Sequence, residues 1–597
     1  SNRVDVKQAA ARAEGALERL AEPLSALFLP AERWPGELLD LAWREVIRNS
    51  AHDSICACSH DDVVAAVLHR YAEAAHLGDG LVTRALRHLG RSLRTVGAVV
   101  VNPSARTRGG IVELELLGPA EGDDALQVLH ETPAHRVLHD IPAADSVLVV
   151  EREIFYVPAL DEVELTIDGA DATVVLRTGE QLREVPPENT TALLAELAEH
   201  ARSHPAGNVH VEVHGVPRRR VLTRVEDVPG FGWAAWDPTA PTAGPVSTTE
   251  HGVTNGLVTV DVDPETGWWS LDGHGGLGHI VDDGDAGDTY NWSPPDEDVF
   301  VGGADSTTVS VAEAGPVRGR VVVDQVFRLP HHVEDGARVG AVDIPVQTVL
   351  ELRAGEDFVR VATTIDNQAR DHRLRVGFPL PEPADHSEAE CAFTVVHRGL
   401  DAEGGPTERA MSTFPSRRFV RAGGLTVAHE GLLEYELCDL ADGRAHLLAL
   451  TLLRCTGMLS QGPMTTRPLP AGPEDPLEGP QMQGRTTVRY AVRLGDSDPY
   501  ALVDDAFVPL QIATGEGGGD LPDRGQALNV TGAEVSAVVR EGGALVLRVF
   551  NPTDSPTTVT VEGRQGWLVD LRGRPIEPFE GSLELGPHAI ATLRLSD

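Results

Sequence analysis

The chain has 597 residues and a formal net charge of −41, from 91 Asp and Glu against 50 Lys and Arg. Its length implies several domains. A surface this acidic repels phosphate backbones and anionic lipid, which argues against nucleic-acid and membrane-surface partners. Hydrophobic residues make up 41% of the chain, enough for large cores. No apolar run reaches the roughly 18–20 residues that a membrane span needs. Five cysteines are too few, and odd in number, for a disulfide framework. Cys391, Cys438 and Cys455 read as small buried apolar residues. The charged, amphipathic start is not a signal peptide, and the expected setting is reducing and cytoplasmic. Lys7 is the only lysine, which reads as coding bias.

In chain order, residues 6–94 read as helical. VKQAAARAEGALERLAEPLSALFL repeats apolar residues at intervals of three and four. Pro35 opens a second helix, PGELLDLAWREVIRNS. A third runs from about Asp61 to Leu93, with Gly78 and Gly80 as candidate breaks. Ser59 and Asp62 have the spacing of a capping box for it, and Asp61 and Asp62 suit its first turn. Short loops between the three predict a small antiparallel bundle.

From Val96 onward the texture is strand and turn. VGAVVVNPSARTRGGIVELELLG, VLVVEREIFYV, VRGRVVVDQVFRL, FVRVATTID and HLLALTLLR are β-branched runs between Gly and Pro. The exception is Asn189 to His204, a helix with an Asn/Thr cap. The fold class is therefore multidomain: an N-terminal three-helix bundle followed by mainly antiparallel β-sandwiches, including a large supersandwich. The expected divisions are 1–95, helical; 96–235, a small β-sandwich with one helix; 236–510, the large β-domain; and 511–597, a C-terminal sandwich. PGFGWAAWDPTAPTAGP, near 235, and ATGEGGGDLPDRG, near 510, read as linkers. Asn-Pro-Ser/Thr closes an apolar strand near both 102 and 551, either as a strand-to-turn device or as a repeated sandwich.

The chemistry concentrates in NSAHDSICACSHDDVV, Asn49 to Val64. Cys56 and Cys58 lack the usual zinc spacing, and no second Cys/His pair lies near them. His52-Asp53 falls beyond the end of an amphipathic helix. Its plain reading is a helix-end histidine beside a loop carboxylate, but imidazole is also a good zinc ligand that carboxylates orient. In VDDGDAGDTYNWSPPDED, Asp283, Asp285 and Asp288 admit a calcium loop or a solvated turn. Of Trp268 and Trp269, neighbours on one strand, at most one can stack on a ligand, and core packing is favoured. HETPAHRVLHD, His130 to Asp140, reads as a surface loop.

RNSAHDSICACSHDDV resembles the middle-domain signature of glycoside hydrolase family 38, the α-mannosidases, with Ala57 where its bacterial branch has glycine. GDTYNWSPPDED, IDNQARDHRLRVGFP, HEGLLEYEL, LLALTLLRCTGMLS and RPLPAGPEDPLEGPQMQGRTTVRYA resemble later segments of that family, in its order. The resemblance implies a retaining, zinc-dependent α-mannosidase acting on terminal α-mannosyl residues of mannose-containing oligosaccharides. It implies one zinc ligand here, His52. Asp53 is expected to hydrogen-bond a sugar hydroxyl or steady the site, Tyr290 to present its hydroxyl to mannose, and Asp288 to assist. The other zinc ligands, the nucleophile and the general acid belong to the family's N-terminal α/β domain. The sequence begins where the middle domain begins, so that catalytic domain is the expected partner. No catalytic residue is assigned here, and the chain alone is expected to be inactive. The alternatives are a non-catalytic carbohydrate-binding or scaffold protein and a mutarotase-like sandwich. A homo-oligomer is compatible with the sequence.

Overall fold

The computed structural model describes residues 2–118, 126–157, 160–179, 187–240 and 244–596. Helices come first and antiparallel sheets dominate the rest, so the expected fold class stands. Among the described residues no helix is long and apolar enough to cross a membrane. The chain forms two compact units, Glu113–Thr223 and the remainder.

The first helical segment is a continuous rod. It comprises α1 (Val4–Glu14), a π-helical stretch (Gly15–Ala21) and α2 (Glu22–Phe28). Val6, Ala10, Ala13, Leu17, Ala21 and Leu24 form its buried stripe. After α3 (Gly36–Arg48) and the single turn α4 (His52–Ile55), α5 runs unbroken from Asp61 to Ser92. Gly78 does not break α5. A Cβ there would sit 3.2 Å from both Cβ and O of Ala16, so glycine lets the rods approach. The helical cost of glycine, about 1 kcal/mol relative to alanine, is offset by that packing. The capping box does not form. Asp61 and Asp62 do occupy the first turn, but His60 precedes the helix without a side-chain cap. The Ser59 hydroxyl donates instead to the Asp53 carbonyl, at 3.1 Å.

Glu22 is buried in this bundle, where its Oε1 accepts from Trp43 Nε1 at 2.6 Å. Burial pushes its carboxyl up to about 7. A carboxyl raised in the folded state contributes stability below its unfolded value and loses it as pH rises through the folded one. Glu22→Gln keeps the acceptor and removes the charge. It is expected to stabilise the protein on the order of 2–3 kcal/mol at pH 8 and to change little near pH 4.5. Denaturant titrations at the two pH values measure the difference.

The places where the sequence texture changes, near 95, 235 and 510, meet in one four-stranded sheet. Val96–Asn102 lies between Gln511–Glu516 and Gly232–Ala235, with Arg524–Gln526 outermost. Parts of the two segments expected as linkers enter that sheet as strands, Gly232–Ala235 in the first and the residues flanking Gly517–Gly519 in the second. Glycine fits because a Cβ on Gly525 would overlap the Trp233 ring, 2.3 Å away. Of the expected linker 229–245, residues 241–243 lie outside the described residues. Asn102 and Asn551 end their strands with the same device. Each Oδ1 accepts from the backbone N–H and the hydroxyl of the residue two positions on, Ser104 or Thr553.

The large β-domain packs a nine-stranded sheet and a five-stranded sheet over one core that includes Phe327, Leu350, Leu374, Phe378, Leu448 and Tyr490. Arg318–Leu329 alternates buried and open positions along its length, the period-two pattern of a strand with one face on a core. The second sheet includes His279–Gly284, His372–Ala384 and Arg444–Cys455, hydrogen-bonded in that order. These strands carry the loops of the site described below. Trp269 is buried in the core, and Trp268 is partly exposed with its ring 5.5 Å from His279. The C-terminal residues form a small sandwich around Leu547, Val559 and Leu593, whose core also takes in Ala26 and Phe231.

Glu113–Thr223 contains a four-stranded sheet in which Asp171–Thr178 pairs in parallel with Asn208–His214. Two helices share its core, Ala143–Tyr156 and Pro187–Ser203. The first corrects the expectation of a strand at Val147 to Val157. Its buried residues, Ala143, Ser146 and Val150, are spaced by three and four, and this packing overrides the β-branched composition. His130 to Asp140 is likewise not a loop but parts of the strands Leu126–Thr132 and His135–Pro142.

Candidate functional site

α3 is amphipathic and ends at Arg48, where the chain turns. Asn49 is fully buried, donates from Nδ2 to the Val67 carbonyl at 3.0 Å and accepts from Arg70 at 3.1 Å, pinning the turn to α5. The one-turn α4 follows. Lys7 Nζ donates to the Ile55 carbonyl at 2.8 Å, and Asn2 Nδ2 donates to the Ala57 carbonyl at 3.0 Å. Ala57 has φ +59°, a left-handed conformation that costs a residue with a Cβ about 1–2 kcal/mol. The backbone N–H of Cys58 closes the turn on the Asp53 carbonyl at 2.9 Å. With its backbone anchored, α4 projects His52 outward, its side chain 91% exposed and its Nε2 3.2 Å from Asp53 Oδ1.

The second part of the site is the loop after His279–Gly284. Asp288 Oδ1 accepts from the backbone N–H groups of Tyr290 and Asn291, both at 2.9 Å. Its Oδ2 accepts from Gln461 N at 2.9 Å and from Arg467. Arg454 donates to Asp285 Oδ2 at 2.7 Å and to the Asp288 carbonyl. Arg373 makes a two-pronged pair with Asp283, at 3.0 and 2.7 Å, and Arg375 joins it at 2.9 Å. His372 Nδ1 lies 2.6 Å from Asp282 Oδ2. The loop is therefore held by salt bridges. Each of Asp283, Asp285 and Asp288 is buried against an arginine, which leaves neither a calcium cage nor a solvated turn.

The helical and β parts meet at Cys58, whose thiol donates to the Thr289 carbonyl at 3.4 Å. Burial pushes that thiol up, which keeps it protonated and unsuited to hold zinc. Beside this contact opens a cleft of about 540 Å3 bordered by Lys7, His52, Asp53, Tyr290, Glu434 and Arg454, among others. His52 and Asp53 thus share a cavity with Tyr290, more than two hundred residues away in sequence. Burial, reinforced by Cys58, Asp53 and Asp288, raises the Tyr290 phenol, so it stays a neutral donor. Desolvation lowers Lys7 to about 8. Asp288 does not border the cleft with a free oxygen. All its acceptor positions serve the loop, so its place is beneath Tyr290.

One exposed imidazole and one neighbouring carboxylate fit part of a zinc site, because neutral nitrogen and carboxylate oxygen are zinc donors. Four protein ligands, or three and a water, complete such a site. Among the described residues, the clusters of three or more donors lie elsewhere. Sequence reasoning weighed Cys58 only as a zinc ligand, gave Lys7 no place in the site and did not single out Arg454 or Arg467. Lys7 carried one signal, as the lone lysine. The arginines carried none, since their partners are distant in the chain.

Residues 1–89 match the family model described as the alpha mannosidase middle domain. A putative mannosylglycerate hydrolase from Halalkalibacterium halodurans is 24% identical over 360 residues, covering 53% of this chain and 38% of that protein. The match thus spans well under half of that relative. An alpha-mannosidase from Enterococcus faecalis superimposes with a TM-score of 0.73 at 22% identity, covering 100% of this chain and 68% of that one. A protein in glycosyl hydrolase family 38 from the same organism gives 0.73 at 21%, with 100% and 70% covered.

Proposed function

We infer that this chain, whose residues 1–89 match the alpha mannosidase middle domain model and whose whole length superimposes on an alpha-mannosidase and a glycosyl hydrolase family 38 protein, forms one wall of a site that hydrolyses α-mannosides. The observation that carries the reading is the convergence of His52, Asp53 and Tyr290 on one open cleft. His52 would hold zinc through an imidazole nitrogen, with Asp53 orienting the ring or binding a sugar hydroxyl. Zinc, when bound, anchors sugar hydroxyls and polarises them. The Tyr290 phenol, kept protonated by its surroundings, donates to the sugar. Asp288 positions Tyr290 by fixing its backbone, and Arg454 holds the floor.

The two carboxyls of a retaining glycosidase stand about 5–5.5 Å apart across the scissile bond. Of the carboxylates bordering this cleft, Asp53 serves His52, and Glu434 accepts from Thr451 at 2.8 Å. We assign the nucleophile, the general acid and the remaining zinc ligands to an α/β catalytic domain that completes the cleft. The substrates are terminal α-mannosyl groups of glycans. The name of the Halalkalibacterium relative favours a second substrate class, small α-mannosides such as mannosylglycerate.

The 597-residue chain, given zinc and either 4-nitrophenyl α-mannoside or mannosylglycerate, is expected to release no product above the buffer rate. Turnover by this chain would overturn the division of labour.

A further inference from the structure

We propose that Glu113–Thr223 carries a second transition-metal site, made by His135, Glu212 and His214 and suited to zinc. It is independent of the cleft reading. In the antiparallel pairing of His135–Pro142 with Asn208–His214, His135 stands directly opposite His214. Glu212 precedes His214 by two residues, so its side chain leaves the same face. Both imidazoles aim one nitrogen at the same carboxylate oxygen. His214 Nε2 lies 2.8 Å and His135 Nε2 3.1 Å from Glu212 Oε2. The rings meet edge to face with centroids 4.5 Å apart.

Two neutral imidazoles and a carboxylate are a donor set zinc accepts, leaving its fourth position to water. Metal–ligand bonds of about 2.0–2.2 Å at tetrahedral angles separate donor atoms by roughly 3.3 Å. The two nitrogen–oxygen separations here need to widen by only a few tenths of an ångström, and the three donor atoms all lie within 4.8 Å of one another. Arg177, in register with His214 on the adjoining strand, is engaged by Glu164 at 2.9 and 2.8 Å. By contrast, Glu388 in the His386, Glu388 and His397 group is already paired with Arg421, which a metal would have to displace.

The test is zinc uptake by the full chain in equilibrium dialysis, in a His52→Ala background so that the cleft does not contribute. One zinc ion per chain is expected to bind at micromolar concentration and to raise the thermal transition. His214→Ala and Glu212→Gln are each expected to weaken binding at least about tenfold and to remove the thermal shift. The isosteric Glu212→Gln keeps the test valid should the histidine variant fold poorly. No uptake in the background protein, or uptake undiminished by Glu212→Gln, overturns the proposal.

Discussion

Arg454→Met is expected to lower the stability of the large β-domain by about 3–5 kcal/mol, the usual cost of removing one partner of a buried ion pair. Arg454 is nearly fully buried. It carries the pair to Asp285 at 2.7 Å and a second hydrogen bond to the Asp288 carbonyl. Burial raises the Asp285 carboxyl even with the guanidinium beside it. Without Arg454 the carboxylate would face a desolvation cost with no compensating charge. The deficit should shrink on acidification. A carboxyl whose folded value is raised contributes stability while protonated and loses it as pH rises through that value. A protonated Asp285 no longer needs the arginine. Urea unfolding followed by tryptophan fluorescence at neutral and acidic pH measures both effects. A loss below about 1 kcal/mol, of the size seen for exposed pairs, would mean that the loop rests on its backbone hydrogen bonds instead.

On the proposed function, in which this chain works with an α/β catalytic domain, His52→Ala is expected to reduce α-mannoside hydrolysis by that assembly about 100-fold or more and to raise the zinc concentration needed for activity. Loss of outer-shell groups alone costs metal sites roughly 10–100-fold, and His52 is assigned to the inner shell. The folding transition should not move, because the side chain is almost fully exposed at the border of the cleft. Tyr290→Phe removes one hydroxyl and nothing else. Its expected cost is about tenfold in kcat/KM, the scale of one substrate hydrogen bond, with the zinc requirement unchanged. Full activity in His52→Ala at limiting zinc would end the assignment.

The bundle was legible because its cause is local. Residues three and four apart in VKQAAARAEGALERL make one buried stripe. The strands of the large domain were legible for the same reason at period two. Val147 to Val157 misled because β-branched composition spoke for a strand, while burial at Ala143, Ser146 and Val150 required a helix. The site was only half legible. The position of His52-Asp53 beyond a helix end was plain, but Asp288 looked like a ligand for sugar. Its real neighbours, Gln461 and Arg467, lie 173 and 179 residues on. The Asp-His-Arg-Leu-Arg segment turned out to supply cations to Asp282 and Asp283, 90 residues earlier. No local pattern encodes a pair at that range. The run HETPAH looks as rich in chemistry as the segment that matters, and only the sheet register picked His135 and His214 as opposite neighbours.

Lys7 has a consequence for the chemistry of the surface as a whole. Apart from Lys7, the 50 lysines and arginines are all arginine, so acylating and reductively alkylating reagents find no exposed ε-amine. The one they can find borders the cleft, is mostly enclosed and has an ammonium lowered to about 8. At pH 7 roughly a tenth is free base, the nucleophilic form. Apart from the α-amino terminus, labelling this molecule through its amines amounts to labelling the wall beside His52.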